Sequence, residues 1–348
     1  MKGNYQSMQE LIAEIERIER AKEDFLVPHR VLKMEEDGET FNIQNTGSYR
    51  LTPLAHTQVA EKLGIPKRYY DQMNALPGLR AYNVNAWLQH SATEQKLVRV
   101  LDGQNRAFLS DRFVPFDNFV VMEALLPTLR NIPTLKIASL ALTETRMYVQ
   151  LIFPTIEAEV RVGDVVQAGI TLSNSEVGYG AVDVSTLIWR LRCTNGLIGE
   201  SLLNRHHVGR RIDVDNELNI YKRDTLVADI NAFKLRLRDV IEYSLQKEVF
   251  ERSVRRLQVI ANDVIPNPVQ AVQNVTKRFG FSDKEGEGII TNLITEGDAT
   301  RWGLVNSITA LAKSIDNCDR QFQMEQVAYE IVELPSSEWK QLIEQKVA

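Results

Sequence analysis

The apolar residues of MQELIAEIERIERAKEDF, residues 8–25, fall at Leu11, Ile12, Ile15, Ile18 and Phe25 with charges between them. Spacings of three and four place them on one side of a helix, and Pro28 marks its end, because proline has no N–H for a further turn. FNIQNTGSYRLTP then reads as a short hairpin turning at Asn45-Thr46-Gly47, residues that tolerate the backbone of a tight turn. The next run, TPLAHTQVAEKLGIPKRYYDQM, predicts two short helices hinged at Gly64-Ile65-Pro66. Its small and apolar positions, Gln58, Ala60, Leu63, Gly64 and Ile65, outline a helix-turn-helix with Lys67, Arg68, Tyr69 and Tyr70 facing outward. A packed helical hairpin with its tyrosines turned to the core is preferred, since helix-Gly-helix turns are common.

From about residue 96 to 208 the period shortens. KLVRVL, RAFLS, LKIASLAL, RMYVQLIF, AEVRV, VVQAGITL and AVDVSTLIWRLRC are rich in Val, Ile and Leu, with glycine or Asn-Ser between them, so a sheet is expected. One helix, FVVMEALLPTL, interrupts it, with Asp117 placed as its N-cap. Beyond Ile220 an apolar stripe from Leu226 through Phe233, Leu237, Phe250 and Leu257 runs nearly to Pro266. At 1.5 Å per residue that predicts one rod of roughly 55 Å over 224–262. Shorter helices follow around VQAVQNVTKRF, GIITNLITE, WGLVNSITALAKSI and QFQMEQVAYEIVEL. The expected class is α+β: a mixed or antiparallel sheet body with packed helices, one long helix, then an all-helical region. Its segments are an N-terminal helix and linker (1–35), the α+β body (36–222) and the helical region (223–348).

Composition narrows the class. With 348 residues, 44% of them hydrophobic and 25% charged, the chain can bury a large core. No apolar stretch approaches the ~20 residues that cross a bilayer, and MKGNYQSMQELIAEIERIER lacks a signal peptide's basic-then-apolar layout, so a cytoplasmic protein with no membrane partner is expected. The two cysteines, Cys193 and Cys318, form no CxxC pair and argue against a disulfide framework. A formal charge of −5 lacks the general basic excess of a protein that coats nucleic acid by charge alone, so any such binding needs a local patch.

That patch has a candidate in NRHHVGRR, residues 204–211. Between Arg190 and Arg211 five arginines (Arg190, Arg192, Arg205, Arg210 and Arg211) stand against Glu200 alone, with His206 and His207 beside them. Arg190 and Arg192 alternate on a strand and are expected on one face; guanidinium forks bind phosphate bidentately, and neutral imidazoles can donate to it. In QNRAFLSDRFVPFDN, Arg106 and Arg112 flank a turn beside Phe108, Phe113 and Phe116. Bases stack on rings while guanidiniums follow the backbone, so this mixture suits single-stranded nucleic acid. The competing reading makes the phenylalanines core and pairs the arginines with Asp111, Asp117 and Glu176. NSEVGYGA, residues 174–181, predicts a sharp bend around Tyr179 where a ligand or another backbone comes close.

Other chemistry has less behind it. Cys193, His206 and His207 form the one local set for zinc, but neighbouring residues of an extended segment point apart. Ser110, Ser173 and Ser175 lack a nucleophile elbow. Asp111, Asp117 and Glu176 could assemble a metal-dependent nuclease site, although caps and turns explain most of these acids. No metal or cofactor is expected.

With these motifs in view the chain resembles the phage/plasmid-like family catalogued as domain of unknown function 932. The resemblance lies in LTPLAHTQVAEKLGIPKRYY, NVNAWL, RAFLSDRFVPFDN, TLSNSEVGYGA, RLRCTNGL with the following RHHVG, and WGLVNSITALA, and it spans nearly the whole chain. It implies a protein of mobile elements, for which nucleic acid is the natural partner class. A strand-rich body before a long helix is also similar in outline to single-strand annealing proteins, an analogy that transfers no residue. The leading expectation is a non-enzymatic, self-associating protein that binds single-stranded DNA or RNA, for annealing or protection. Its contacts would be Arg106, Arg112, Phe113, Tyr179, Arg190, Arg192, Arg205, His206, His207, Arg210 and Arg211. The alternatives are a metal-dependent enzyme acting on nucleic acid and a protein-binding anti-defence factor.

Overall fold

A computed structural model describes residues 3–132, 134–207 and 223–344. The first helix, α1 (Met8–Ala21), buries Leu11, Ile15 and Ile18 as the stripe predicts. It stops before Phe25, because β1 (Lys22–Pro28) leaves as a strand that pairs antiparallel with β5 (Gln95–Leu101), Lys22 opposite Leu101. Between them lie β2 (Leu32–Met34), β3 (Thr40–Ile43) and β4 (Gly47–Leu51), then α2 (Pro53–Lys62), α3 (Lys67–Gln72) and α4 (Pro77–His90). The hairpin joins β3 to β4 with Asn45 left-handed at φ 63°, as its sequence demands. The six strands completed by β6 (Gln104–Ser110) run in the order β1-β5-β6-β4-β3-β2, antiparallel except for β4 against β6.

The helices α2, α3 and α4 form one layer over this sheet. Val59, Tyr70, Met73, Val84 and Leu88 pack with Phe41, Val98 and Phe108 in one apolar cluster. Gly64 takes φ 68° at the α2–α3 turn. The hairpin reading holds for Tyr70, which is buried and shares its hydroxyl with His56 Nδ1 at 2.7 Å; Tyr69 faces outward at 42% exposure.

Helix α5 (Asn118–Leu129) leads to a second, antiparallel sheet of β7 (Lys136–Leu142), β8 (Met147–Arg161), β9 (Asp164–Asn174), β10 (Val182–Arg190) and β11 (Asn195–Arg205), ordered β11-β10-β9-β8-β7. Along β8 the alternation is clear. Val149, Leu151 and Phe153 join the larger apolar cluster, while Tyr148 and Ile152 join a smaller one with Phe322. Gly169 sits mid-strand in β9, where a Cβ would come 2.2 Å from the Leu151 carbonyl oxygen of β8. Gly169→Ala should therefore force the central strands apart and cost about 1–3 kcal/mol, read as a lowered urea midpoint with an unchanged slope.

The long rod is the main departure. The stripe is helical and Phe233, Leu237, Phe250 and Leu257 are buried, but it divides into α6 (Arg223–Ser244) and α7 (Lys247–Ile260), with Gln246 extended between them. The buried Ser244 hydroxyl donates to the Ile241 carbonyl at 2.6 Å, competing with the helix ladder where the axis turns. Then come α8 (Pro268–Phe279), α9 (Asp283–Glu296), α10 (Arg301–Lys313), α11 (Cys318–Glu333) and α12 (Ser336–Glu344). Leu11 of α1, Val149 of β8, Phe233 of α6 and Trp302 of α10 share one cluster, so this helical region and the second sheet have a common core. The architecture is α+β. No helix among the described residues is long and apolar enough to cross a membrane.

Candidate functional site

Three of the motif segments meet. The turn after β6, the bend after β9 and the chain leaving β11 converge on His207, which is 4% exposed. Its Nδ1 lies 3.3 Å from the Phe116 N–H, and its Nε2 lies 3.0 Å from Asn174 Oδ1. The Asn174 amide donates to the Phe116 carbonyl at 2.8 Å and to Asn118 Oδ1 at 2.9 Å, so that its own Oδ1 faces Nε2 as an acceptor while the Val114 carbonyl faces Nδ1 at 3.2 Å. Phe113 stacks on the imidazole, centroids 4.9 Å apart and planes 13° from parallel. Burial pushes the His207 pKa below its ordinary value, so the ring is neutral at pH 7.

Beneath this lies a network of charges. Arg99, fully buried, lays a fork on Asp117 with both bonds at 2.8 Å, reaches Asp24 at 2.8 and 2.9 Å, and donates to the Glu176 carbonyl at 2.7 Å. Lys22 also bonds Asp117. Glu176 accepts from Arg106 at 2.8 Å and from the Asn118 N–H at 2.7 Å. Asp117 stands at the N-cap position of α5 as expected, but Arg99 and Lys22 occupy its carboxylate, and Glu176 caps the helix in its place. Desolvation opposes the charge on Asp117, yet Arg99 and Lys22 overcome it and hold the carboxyl down to about 2.

The expectation of exposed arginines on a common concave face is corrected at three positions. Arg106 is 6% exposed and paired to Glu176. Arg190 is 4% exposed, bonded to Asp164 at 2.6 Å and to Glu296 at 2.9 Å, with Trp302 Nε1 on the other Asp164 oxygen at 2.8 Å. It joins the second sheet to α9 and α10. Arg205 is half-buried, pairs with Asp229, and lies 4.0 Å over the Phe116 ring, tying the end of β11 to α6. Arg190 and Arg192 do not share a strand face, since β10 ends at Arg190 and Arg192 stands exposed in the following turn. Phe108 and Phe116 are core, in line with the competing reading. Arg210 and Arg211 lie outside the described residues.

The remaining candidates are Arg112 and His206, exposed, Tyr179, 37% exposed, and Phe113, half-buried with one face on His207. Gly178, at φ 81°, packs where a Cβ would come 2.8 Å from Leu109 and 4.0 Å from the Phe113 ring. The bend at 174–181 is thus explained by close packing on β6. Arg112, Tyr179 and His206 each follow or precede a residue of the Phe113–Gly178–His207 contact, so their Cα atoms lie about 3.8 Å along the chain from it.

Comparison of the chain with protein-family models, curated proteins and solved structures finds no match. The resemblance to the phage/plasmid-like family rests on the quoted segments alone.

The nuclease arrangement does not assemble. Asp117 and Glu176 are committed to guanidinium groups and N–H donors, while Asp111 accepts from the Ser110 hydroxyl at 3.1 Å in its turn. Cys193 sits 3.2 Å from Glu296, in a different cluster from His207. No three His, Cys, Asp or Glu residues among those described could hold a metal ion together. The Arg106 Nε and Nη2 atoms are buried without a partner beside a cleft of about 10 Å³ lined by Asn118, Thr145 and Arg146, room for about one water. Sequence reasoning missed Arg99, Lys22 and Asp24. The one signal was Arg99 itself, a charge set between Val98 and Val100 in the apolar part of its strand.

Proposed function

We propose that the protein binds single-stranded nucleic acid without chemical change, along the rim where Arg112, Tyr179 and His206 surround the Phe113–His207 stack. The observation that carries this reading is the convergence of three separate segments. Each carries one exposed aromatic, cationic or imidazole side chain one residue along the chain from the junction, while the buried network beneath fixes their backbones. Arg112 makes no ion pair among the described residues, so its guanidinium is available to a phosphate. Tyr179 offers a ring to a base, and the Arg146 guanidinium holds its backbone by donating to the Tyr179 carbonyl at 2.8 Å. The resemblance to proteins of mobile elements implies the same partner class, and a role in annealing or protecting strands is part of the proposal. Self-association belongs to the proposal too.

Anisotropy of labelled oligo-dT and oligo-U, titrated across salt concentrations, tests it. Binding should weaken linearly on logarithmic axes, with Arg112→Ala reducing the slope by about 0.7, one phosphate's share on a single strand. Tyr179→Ala should weaken binding about tenfold at every salt concentration. Glu61, the acid whose charge raises the Tyr179 phenol pKa after burial does, should oppose a phosphate there, so Glu61→Gln should tighten binding. Absence of salt-dependent binding by the unaltered protein would end this reading.

A further inference from the structure

The outer surface of the α2–α4 layer has no partner in the fold. Tyr82 at 73% exposure, Trp87 at 45% and Tyr69 at 42% are the three most exposed aromatic rings among the described residues, and all lie within one stretch of nineteen positions. On α4 the spacing of Leu79, Tyr82 and Ala86 keeps them on the side opposite Val84 and Leu88, which are buried on the sheet. Trp87 flanks that side, held edge-on by His90 at 5.7 Å.

Charge says what would cover this surface. Residues 53–90 carry Lys62, Lys67, Arg68 and Arg80 against Glu61 and Asp71, a local excess of positive charge in a chain whose total charge is −5. Arg80 turns inward, between Asn74 and Glu39, and Lys67 pairs with Asp71. Lys62 and Arg68 remain exposed and make no ion pair among the described residues. A second copy of the chain docking here about a two-fold axis would set the same cationic excess against itself. A polyanion meets it with the opposite sign.

Rings standing free on a helix surface cannot reach bases stacked inside a duplex, but they can receive bases from an unpaired strand. Helix α3, six residues long with Tyr70 turned to the core, offers little to a major groove. The Gln58 amide donates to the Val177 carbonyl at 2.7 Å, which ties α2 to the segment that carries Tyr179. We infer that the outer face of the α2–α4 layer is a stacking platform for single-stranded nucleic acid, with Tyr82 and Trp87 receiving bases and Arg68 and Lys62 following phosphates. This rests on the proposed function and extends it from the rim to a second contact surface.

Trp87 is its own reporter. Of the four tryptophans, Trp302 and Trp339 are buried at 1% and 2% exposure and Trp189 is half-buried, so a base stacking on the surface quenches mainly Trp87. Adding unlabelled oligo-dT to the whole protein should quench tryptophan emission, and Trp87→Phe should remove that quench. The Tyr82→Ala/Trp87→Ala variant should bind oligo-dT about tenfold or more weakly while unfolding cooperatively, and Tyr82→Ala alone, at 73% exposure, should weaken binding with no change in thermal midpoint. The Arg112→Ala/Tyr179→Ala variant should still show the quench, at higher oligonucleotide concentration. Salt-dependent binding that neither quenches Trp87 nor responds to the platform variant would overturn this inference and leave the rim reading standing. Loss of self-association in the platform variant with unchanged oligonucleotide binding would overturn it in favour of an interface between copies, and stronger binding to duplex without quenching in favour of groove contact. No binding by the unaltered protein would sink both readings.

Discussion

Arg99→Met is expected to destabilise the protein by about 3–5 kcal/mol, the largest effect of any single substitution considered for the polar network. Methionine fills much of the volume but leaves Asp117, 3% exposed, with Lys22 as its one remaining cation. A buried carboxylate stripped of its guanidinium partner is costly because the lost attraction and the retained desolvation act together. Adding Asp117→Asn should recover part of the loss by removing the stranded charge, a coupling visible in a double-mutant cycle. Acid titration supplies a second readout. The Asp117 carboxyl, held at about 2 against an ordinary 3.8, contributes stability that is fully present above 3.8 and is lost as pH falls through 2. Arg99→Met should shrink that acid-side loss, and a variant unfolding within about 1 kcal/mol of the parent would show that the pair carries little net weight.

Glu325→Gln should act in the opposite direction, and only above neutrality. The Glu325 carboxyl lies in α11 against the second sheet, 2% exposed, accepting from Gln150 at 2.7 Å and Gln321 at 3.3 Å. Burial raises its pKa from 4.5 to about 7, and the two amides offset this in part. The folded protein therefore keeps a proton that the unfolded chain releases between those values. Its contribution is fully present below pH 4.5, declines as pH rises, and is gone above about 7; by linkage the change is on the order of 3 kcal/mol. Glutamine stays neutral throughout and can bond the same amides. The variant should match the parent near pH 5 and exceed it by about 2–3 kcal/mol at pH 8 in urea unfolding. Parallel stability curves for the two proteins across this range would contradict it.

Strong periodicity makes several elements legible in the sequence. The α1 stripe, the turn at Asn45, the Gly64 hinge and the shift from strand to helix after β11 follow from local chemistry that tertiary packing does not override. Two features are not legible. The break at Ser244–Gln246 has neither glycine nor proline, and depends on how the apolar stripe meets a sheet distant in sequence. The arginines mislead for a related reason. Arg106 and Arg190 look like ligands for phosphate because their carboxylate partners, Glu176 and Glu296, stand 70 and 106 positions away. A local sum of charge sees the cations and misses what cancels them. Phe113, Tyr179 and His206 are recognisable as residue types, whereas their meeting at one junction depends on how β6, β9 and β11 are laid side by side.

Strand β1 takes its place in the first sheet only by pairing with β5, which begins 73 positions after Lys22. Bringing the two together costs loop-closure entropy before the Arg99–Asp24 bond repays it. On the ribosome β1 emerges first and waits with bare backbone donors and acceptors while the intervening hairpin and three helices are made. Closure of that strand is then a late step in maturation, and a chain halted before residue 101 exposes an adhesive edge that chaperones would recognise.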